Sequence, residues 1–173
     1  MVKAIIHLSD IHVKTTQLHD LYRNQFQLFL DEIKEKLSIY SYNEIRIVIT
    51  GDIFHQKITV SNEQTLLISW FFTELSKIGK LIIIPGNHDF LENNKSRVDS
   101  ITPIVDLLNN PNIHYFKNKS VYDDENIKWV VYSLYQNNEK PEFIKEEGFT
   151  YIGLFHDPIQ GMVTEKNFKF DTG

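Results

Sequence analysis

The sequence predicts an α/β fold with two sheets, and three observations lead to this prediction. Apolar β-branched runs alternate with amphipathic segments of helical periodicity along the first half of the chain. The continuous apolar run at 82–84 is typical of a strand that is buried on both faces of a sheet. Two short runs around the polar turn at 123–126 predict a β-hairpin, so we expect the second sheet to be at least partly antiparallel.

The first half of the chain predicts three strands connected by two helices. The order is a strand at 3–8, a helix at about 18–37, a strand at 44–50, a helix between 61 and 79, and a strand at 81–84. Ser61 and Gln64 have the spacing of a capping box that begins the second helix, and Gly79 is placed to end it. Because strand, helix, strand units form right-handed crossovers, we expect consecutive strands here to be parallel.

The second half of the chain predicts shorter elements, which follow a polar loop at 93–100. They are a helix at 101–108, a strand at 113–116, a hairpin of 121–122 and 127–134, a weak helix at 140–147 and a strand at 150–155. The last strand, TYIGLF, is again apolar, and His156 follows it directly.

The composition is that of a globular protein, with 173 residues, of which 42% are hydrophobic. The chain has no cysteine, which excludes disulfides, zinc–thiolate sites and thiol nucleophiles. The first segment, MVKAIIHLSDIH, matches neither a signal peptide nor a membrane span, so we expect a soluble cytoplasmic protein. The net charge of −5 argues against a simple electrostatic nucleic-acid binder, but not against a nucleic-acid enzyme whose carboxylates hold metal ions.

Side chains that bind metal ions follow four of the predicted strands. They are Asp10 and His12, then Asp52, then Asn87 and His88, and finally His156. Because the strand ends of one sheet lie side by side, we expect these groups to meet at one edge. Carboxylate, imidazole and amide groups suit manganese, iron or zinc, and a central carboxylate can bridge two ions. Taken singly, each residue has a structural alternative, such as a helix cap for Asp52, a turn residue for Asn87 or a buried histidine for His156.

Four motifs, HLSDIH, TGDIFH, PGNHD and LFHDP, resemble the successive motifs of the calcineurin-like metallophosphoesterase superfamily. The segments TGDIFHQK and RVDSITPIVDLLNNPNIHYF resemble more specifically the SbcD-type nucleases of DNA double-strand-break repair, above all those of phages and large viruses. The resemblance implies a β-sandwich of two mixed sheets flanked by helices, forming one domain over residues 1–173. It also implies hydrolysis of DNA by a water molecule that metal ions activate.

The resemblance assigns roles to the residues that match these motifs. The metal ligands it implies are Asp10 and His12 for one ion, Asn87 and His156 for a second ion, and Asp52 as the bridge. His88 would contact the phosphoryl oxygen or protonate the leaving alkoxide, and Asp89 would orient His88. The two divalent ions, with Mn²⁺ favoured over Mg²⁺, Fe²⁺ and Zn²⁺, would clamp the phosphate and lower the pKa of a bridging water.

Two further residues are candidates for substrate binding. His55 resembles a histidine that helps to place the DNA backbone, and the alternative is a partly exposed loop histidine. Arg97 is a candidate phosphate contact, and the alternative is an ion pair with Asp99 or Glu92. The resemblance also implies a homodimer and an SbcC-type ATPase partner, and, for a viral protein, the cytoplasm of the host.

The chain departs from the superfamily pattern after His156. A late G-H-x-H motif, which supplies one histidine to each metal ion in the superfamily, is not found, and no histidine follows His156. We therefore expect the domain to be incomplete at its C-terminus, either as a fragment, as a chain that another polypeptide completes, or as a catalytically impaired protein. Two other functions stay open, a phosphomonoesterase or small-nucleotide phosphodiesterase with the same metal core, and a non-catalytic fragment that needs a partner chain.

Overall fold

Strands and helices alternate in the computed structural model, which describes residues 1–15, 18–57, 59–157 and 163. The elements are β1 (Ala4–Leu8), α1 (His19–Lys36), β2 (Ile45–Thr50), α2 (Asn62–Ile78), β3 (Lys80–Ile84), α3 (Thr102–Leu108), β4 (Ile113–Tyr115), β5 (Ser120–Asp124), β6 (Ile127–Val131) and β7 (Thr150–Leu154). The predicted capping box is confirmed, since the Ser61 side chain accepts from the Gln64 backbone N–H and the Gln64 side chain accepts from that of Ser61. Within the described residues, no helix combines the length and apolar character needed to cross a membrane.

The first sheet has the strand order β1-β2-β3-β4, and each neighbouring pair is parallel. The prediction of two mixed sheets is therefore wrong for this sheet, because a helix crosses over between each strand and the next. Right-handed crossovers between strands in sequential order place the helices on one face of the sheet. The opposite face is left for the second sheet.

Alternate residues of β2 and β3 belong to two separate cores. Ile47, Ile49 and Ile83 pack with the helices, whereas Val48 and Ile82 pack against the second sheet, where Trp129 is the largest buried side chain. Both faces of these strands are buried, which explains their continuous apolar sequence. The fold is thus an α/β sandwich of helices, a parallel sheet and a second sheet.

The second sheet has the order β5-β6-β7 and is mixed, as predicted, because β5 pairs antiparallel and β7 pairs parallel with β6. The weak helix predicted at 140–147 is wrong. This segment has no regular structure before a turn at Glu147, and its side chains bind the outer face of the second sheet instead. Phe143 stacks on Tyr151, and Glu146 accepts a hydrogen bond from Lys128.

A buried ion pair joins the two sheets. Arg46 of β2 has no exposed side-chain surface, and its guanidinium donates to both carboxylate oxygens of Asp124, at 2.5 and 2.7 Å. Asp124 also accepts from the Trp129 indole N–H at 3.1 Å. Burial alone would raise the pKa of Asp124, but Arg46 and Trp129 hold that pKa below its usual range. The second sheet is therefore held to β2 by a charge pair in addition to apolar contacts.

Removing one partner of this pair is expected to destabilise the protein strongly. Asp124→Ala removes the carboxylate that accepts from two guanidinium nitrogens of the buried Arg46 and leaves Glu125, at 3.5 Å, as its remaining counter-charge. We expect a loss toward the lower end of roughly 3 to 5 kcal/mol in the free energy of unfolding. Urea unfolding followed by tryptophan fluorescence measures the loss. The control is Asp123→Ala, since the exposed Asp123 carboxylate shares Lys128 with Glu146 and its removal should leave stability nearly unchanged. Equal stability of the Asp124→Ala variant and the unmodified protein would contradict this account.

Candidate metal centre

The predicted metal ligands meet at the carboxyl ends of strands from both sheets. Asp10 and His12 follow β1, Asp52 follows β2, Asn87 follows β3, and His156 follows β7 of the second sheet. The expectation that all of them belong to one sheet is therefore wrong. Because the carboxyl ends of β1, β2, β3 and β7 lie at the same end of the sandwich, the groups still converge.

Asp52 lies at the centre of the cluster and is buried. Its Oδ2 is 3.5 Å from Nε2 of His12, which is itself 3.7 Å from Oδ1 of Asp10. Its Oδ1 is 3.3 Å from Nε2 of His156. Two groups of side chains have ligand atoms within 4.8 Å of one another and so offer candidate ion positions, namely Asp10 with Asp52 and His156, and His12 with Asp52 and His88.

The side chain of Asn87 provides a test of whether these residues fit a metal ion. Its amide oxygen faces the two carboxylate oxygens of Asp52 at 3.2 and 3.3 Å. An amide oxygen and a carboxylate both accept hydrogen bonds, so they repel unless a cation lies between them or the amide turns over to donate. Together with two carboxylates and imidazole nitrogens, this oxygen forms a donor set suited to Mn²⁺, Fe²⁺ or Zn²⁺. The residues therefore fit a divalent metal centre.

Backbone carbonyls fix the imidazoles of two histidines. Nδ1 of His156 lies 2.6 Å from the carbonyl oxygen of Thr50, and Nδ1 of His88 lies 2.7 Å from that of His55. A carbonyl only accepts, so each Nδ1 carries the proton, and each Nε2 is turned to the centre. An imidazole that binds a metal through one nitrogen usually donates its other N–H in this way. Thr50 thus has a positioning role that the sequence analysis did not identify.

The side chain of Asp89 does not orient His88, so that prediction is wrong. Asp89 is fully buried, and its two carboxylate oxygens accept from four backbone N–H groups, those of Asp52, Ile53, Phe54 and Gly86, at 2.8 to 3.3 Å. The carbonyl of His55 orients His88 instead. Burial raises the pKa of Asp89 to about 7, while the N–H donors act in the opposite sense. Asp89 therefore joins the loop after β3 to the loop after β2.

Two glycines allow these loops to touch. A Cβ atom on Gly51 would lie 2.4 Å from Cα of Gly86, and a Cβ atom on Gly86 would lie 2.2 Å from Oδ1 of Asp52. Real Cβ atoms do not approach so closely, so a side chain at Gly51 would push the two loops apart, and a side chain at Gly86 would displace Asp52. The pairs Gly51-Asp52 and Gly86-Asn87 at two strand ends were the sequence signal for this contact.

The backbone at three of the candidate ligands is left-handed. The φ angles are 55° at Asp10, 50° at His12 and 54° at Asp52. Residues other than glycine rarely adopt this conformation, which costs on the order of 1 kcal/mol or more for each residue. Hydrogen bonds hold it in place, because the N–H of His12 donates to the Asp52 carbonyl and that of Asp10 donates to Gly51. Strain of this kind concentrates at functional sites.

The charges of Asp52 and His156 are coupled. Burial would raise the pKa of Asp52, but the hydrogen bonds from His156 and from the His88 backbone N–H hold that pKa below its usual value. Burial would lower the pKa of His156, but the carboxylate of Asp52 raises it to about 9. Without a metal ion, His156 is therefore protonated at neutral pH.

The two predicted substrate-binding residues lie in different places. The ring of His55 is beside those of His12 and His88, with centroid distances of 5.6 and 6.1 Å, so His55 adjoins the cluster. Arg97 is exposed and lines a separate cavity with Lys57. The two acidic residues suggested as ion-pair partners of Arg97 each pair with a lysine instead.

Asp99 pairs with Lys117 at 2.8 Å, and Glu92 pairs with Lys57 at 2.8 Å. Neither carboxylate is therefore the partner of Arg97 among the described residues.

Comparison with known proteins shows similarity to one family and to a viral protein. The sequence profile of the calcineurin-like phosphoesterase family matches residues 3–167. An uncharacterized protein of Acanthamoeba polyphaga mimivirus is 32% identical over 180 residues. That alignment covers 98% of this chain, which spans 13% of the length of the viral protein.

Metal affinity is expected to rise with pH, because an ion that binds Nε2 of His156 must displace its proton. Since that pKa is about 9, the apparent affinity should increase up to tenfold per pH unit between pH 7 and pH 8.5. Mn²⁺ calorimetry in two buffers of different ionisation enthalpy measures the released proton. The control is His19→Gln, which should release the same number of protons on Mn²⁺ binding as the unmodified protein. Binding that is independent of pH and releases no proton would contradict the pairing of His156 with Asp52.

Removing the carboxylate of Asp89 is expected to unfold the loops around the cluster. Asp89→Ala leaves four buried N–H groups without an acceptor, which costs roughly 3 to 5 kcal/mol of the free energy of unfolding. Asp89→Asn keeps one acceptor oxygen and should cost less. Denaturant unfolding compares both with Asp106→Ala at an exposed position. A stable Asp89→Ala protein would show that Asp89 does not hold the loops.

Proposed function

Because this chain belongs to the calcineurin-like phosphoesterase family, we propose that it is a metal-dependent phosphodiesterase that cleaves DNA in the manner of SbcD-type nucleases. The convergence of carboxylate, amide and imidazole groups on the buried Asp52 is the observation that carries this proposal. Family membership supports phosphoester hydrolysis with metal ions. The choice of DNA rests on the similarity of TGDIFHQK and the 97–116 segment to those nucleases.

Two divalent ions, with Mn²⁺ favoured, would share Asp52. By the motif resemblance, Asp10 and His12 would hold one ion, and Asn87 and His156 would hold the other. This division differs from the two groups of nearest ligand atoms, in which His156 joins Asp10 and His88 joins His12. Bound there, the ions would supply a water of lowered pKa and neutralise charge on the phosphate oxygens. Thr50 and His55 keep two of the imidazoles in the tautomer that leaves Nε2 facing the cluster.

His88 is proposed to donate a proton to the leaving alkoxide. Its Nδ1–H is held by the His55 carbonyl, so the proton that is transferred is the one on Nε2 of the imidazolium. Its backbone N–H donates to Oδ1 of Asp52 at 2.8 Å, which fixes the imidazole beside the cluster. Asp89 serves this chemistry indirectly, because it holds the loop that carries His88.

The exposure of the cluster supports a polymeric substrate. The side chain of Asp10 is 59% exposed and that of His12 is 32% exposed, and His55 beside them is exposed. A phosphodiester within a long chain can approach such groups from solvent, whereas a small substrate gains most in an enclosed pocket. The homodimer and the SbcC-type ATPase partner stay predictions.

The proposal is tested by cleavage of a labelled oligonucleotide and of bis(p-nitrophenyl) phosphate in Mn²⁺. We expect both to be hydrolysed, and Asp52→Asn to reduce each rate at least 1,000-fold, since it removes the shared ligand. Asp106→Asn, an exposed carboxylate on α3, is the matched control and should keep full activity. Hydrolysis of the small ester without any cleavage of DNA would overturn the choice of substrate. An Asp52→Asn variant of full activity would overturn the proposed centre.

The role of His88 depends on the leaving group. His88→Gln should reduce the rate of DNA cleavage by about 100- to 10,000-fold, because an alkoxide needs a proton to leave. Nitrophenolate leaves without one, so the rate on bis(p-nitrophenyl) phosphate should fall far less. Calorimetry should show unchanged Mn²⁺ stoichiometry. Equal losses on both substrates would contradict proton donation by His88.

A further inference from the structure

A cavity of about 170 Å³ is lined in part by the loops after β2 and β3 that also carry the metal centre, and the proposed chemistry does not use it. Its wall includes apolar side chains of the loops after β2 and β3 and of the start of α3. They include Val60, Phe90, Leu91, Val98 and Pro103. The polar part of the lining consists of two cationic side chains, Lys57 and Arg97, together with Asp99 and Ser100. The cavity therefore combines an apolar wall with positive charge.

The positive charge of the cavity is available to a ligand. Arg97 makes no ion pair with any residue in the described part of the chain. Lys57 pairs with Glu92, but both side chains are exposed, at 39% and 57%, and such pairs are weak. Asp99 also lines the cavity, but Lys117 neutralises it, and Thr102 donates two hydrogen bonds to its carboxylate.

The cavity shares two loops with the histidines at the centre. Lys57 is two residues after His55, and Phe90 is two residues after His88. Two residues span at most about 7 Å of extended backbone, so the Cα atoms of Lys57 and Phe90 lie within about 7 Å of those of His55 and His88, about the length of one nucleotide. The Lys57–Glu92 pair, at 2.8 Å, connects the same two loops across this edge.

We propose that this cavity is a subsite for the nucleotide next to the scissile phosphate. Lys57 and Arg97 bind the phosphate of that nucleotide, and the apolar wall contacts its sugar and base. This inference rests on the proposed function and makes it narrower, because a subsite of this kind selects polynucleotides. A phosphomonoester or a diaryl phosphodiester has no second phosphate to place between the two cations.

The test compares two substrates in a double variant, Lys57→Ala with Arg97→Ala. We expect kcat/KM for a 12-nucleotide single-stranded DNA to fall about 100-fold, and its dependence on salt concentration to become weaker. The value for bis(p-nitrophenyl) phosphate should stay within about twofold of that of the unmodified protein. Lys77→Ala is the matched control, because Lys77 is also an exposed lysine paired with a glutamate, Glu74. That variant should cleave DNA at the full rate.

A variant of Glu92 is expected to raise DNA cleavage, whereas the double variant lowers it. Glu92→Gln releases Lys57 from its ion pair, so kcat/KM for the oligonucleotide should rise about two- to threefold. Full DNA cleavage by the double variant, or an equal loss on both substrates, would overturn the subsite. The second result would mean that the two cations support the centre itself.

A measurement of DNA binding distinguishes failure of the subsite from failure of the proposed function. If the unmodified protein hydrolyses neither substrate, the proposed function fails, and fluorescence anisotropy of the labelled oligonucleotide then decides the subsite. Binding by the unmodified protein and the Lys77→Ala control, with loss of at least tenfold in the double variant, supports it. Equal affinity of all three proteins would overturn it.

Discussion

The buried carboxylate of Asp89 is the interaction on which the rest of the centre depends. It accepts four backbone N–H groups and so binds the loop after β3 to the loop after β2. These loops carry Asp52, Asn87 and His88, so their relative position sets the distances within the cluster. Gly51 and Gly86 make the contact sterically feasible. The buried side chain of Asp89 thus fixes the backbone of the loop in which Asp52 has a left-handed conformation.

The topology of the sandwich explains why one end carries the chemistry. Sequential parallel strands place their carboxyl ends side by side, and the helices cover one face of this sheet. The second sheet covers the other face and brings His156 to the same end through β7, parallel to β6. The Arg46–Asp124 pair fixes the second sheet against β2. The position of His156 over Asp52 therefore depends on contacts far from the centre.

Most of the fold follows from the sequence, because alternation, apolar runs and a capping box are local signals. The site residues at strand ends were predictable for the same reason, since a glycine or polar residue directly after an apolar run can be recognised from a single sequence. The role of Asp89 was not predictable, because three of its hydrogen-bond partners are backbone N–H groups of a loop 35 to 37 residues away in the sequence. The weak helix at 140–147 was wrong because Phe143 and Glu146 gain more from the second sheet than from a helix. The cavity lined by Lys57 and Arg97 was not predictable either, because it forms only where two loops pack together.

The most direct test of the central claim is the number of Mn²⁺ ions that the chain binds at Asp52. Isothermal titration calorimetry of the unmodified protein should give two ions per chain. Asp52→Asn should lose both, because the carboxylate is shared, whereas Asp106→Asn should keep both. Two ions bound equally well by the Asp52→Asn variant, or none bound by the unmodified protein, would contradict a metal centre built around Asp52.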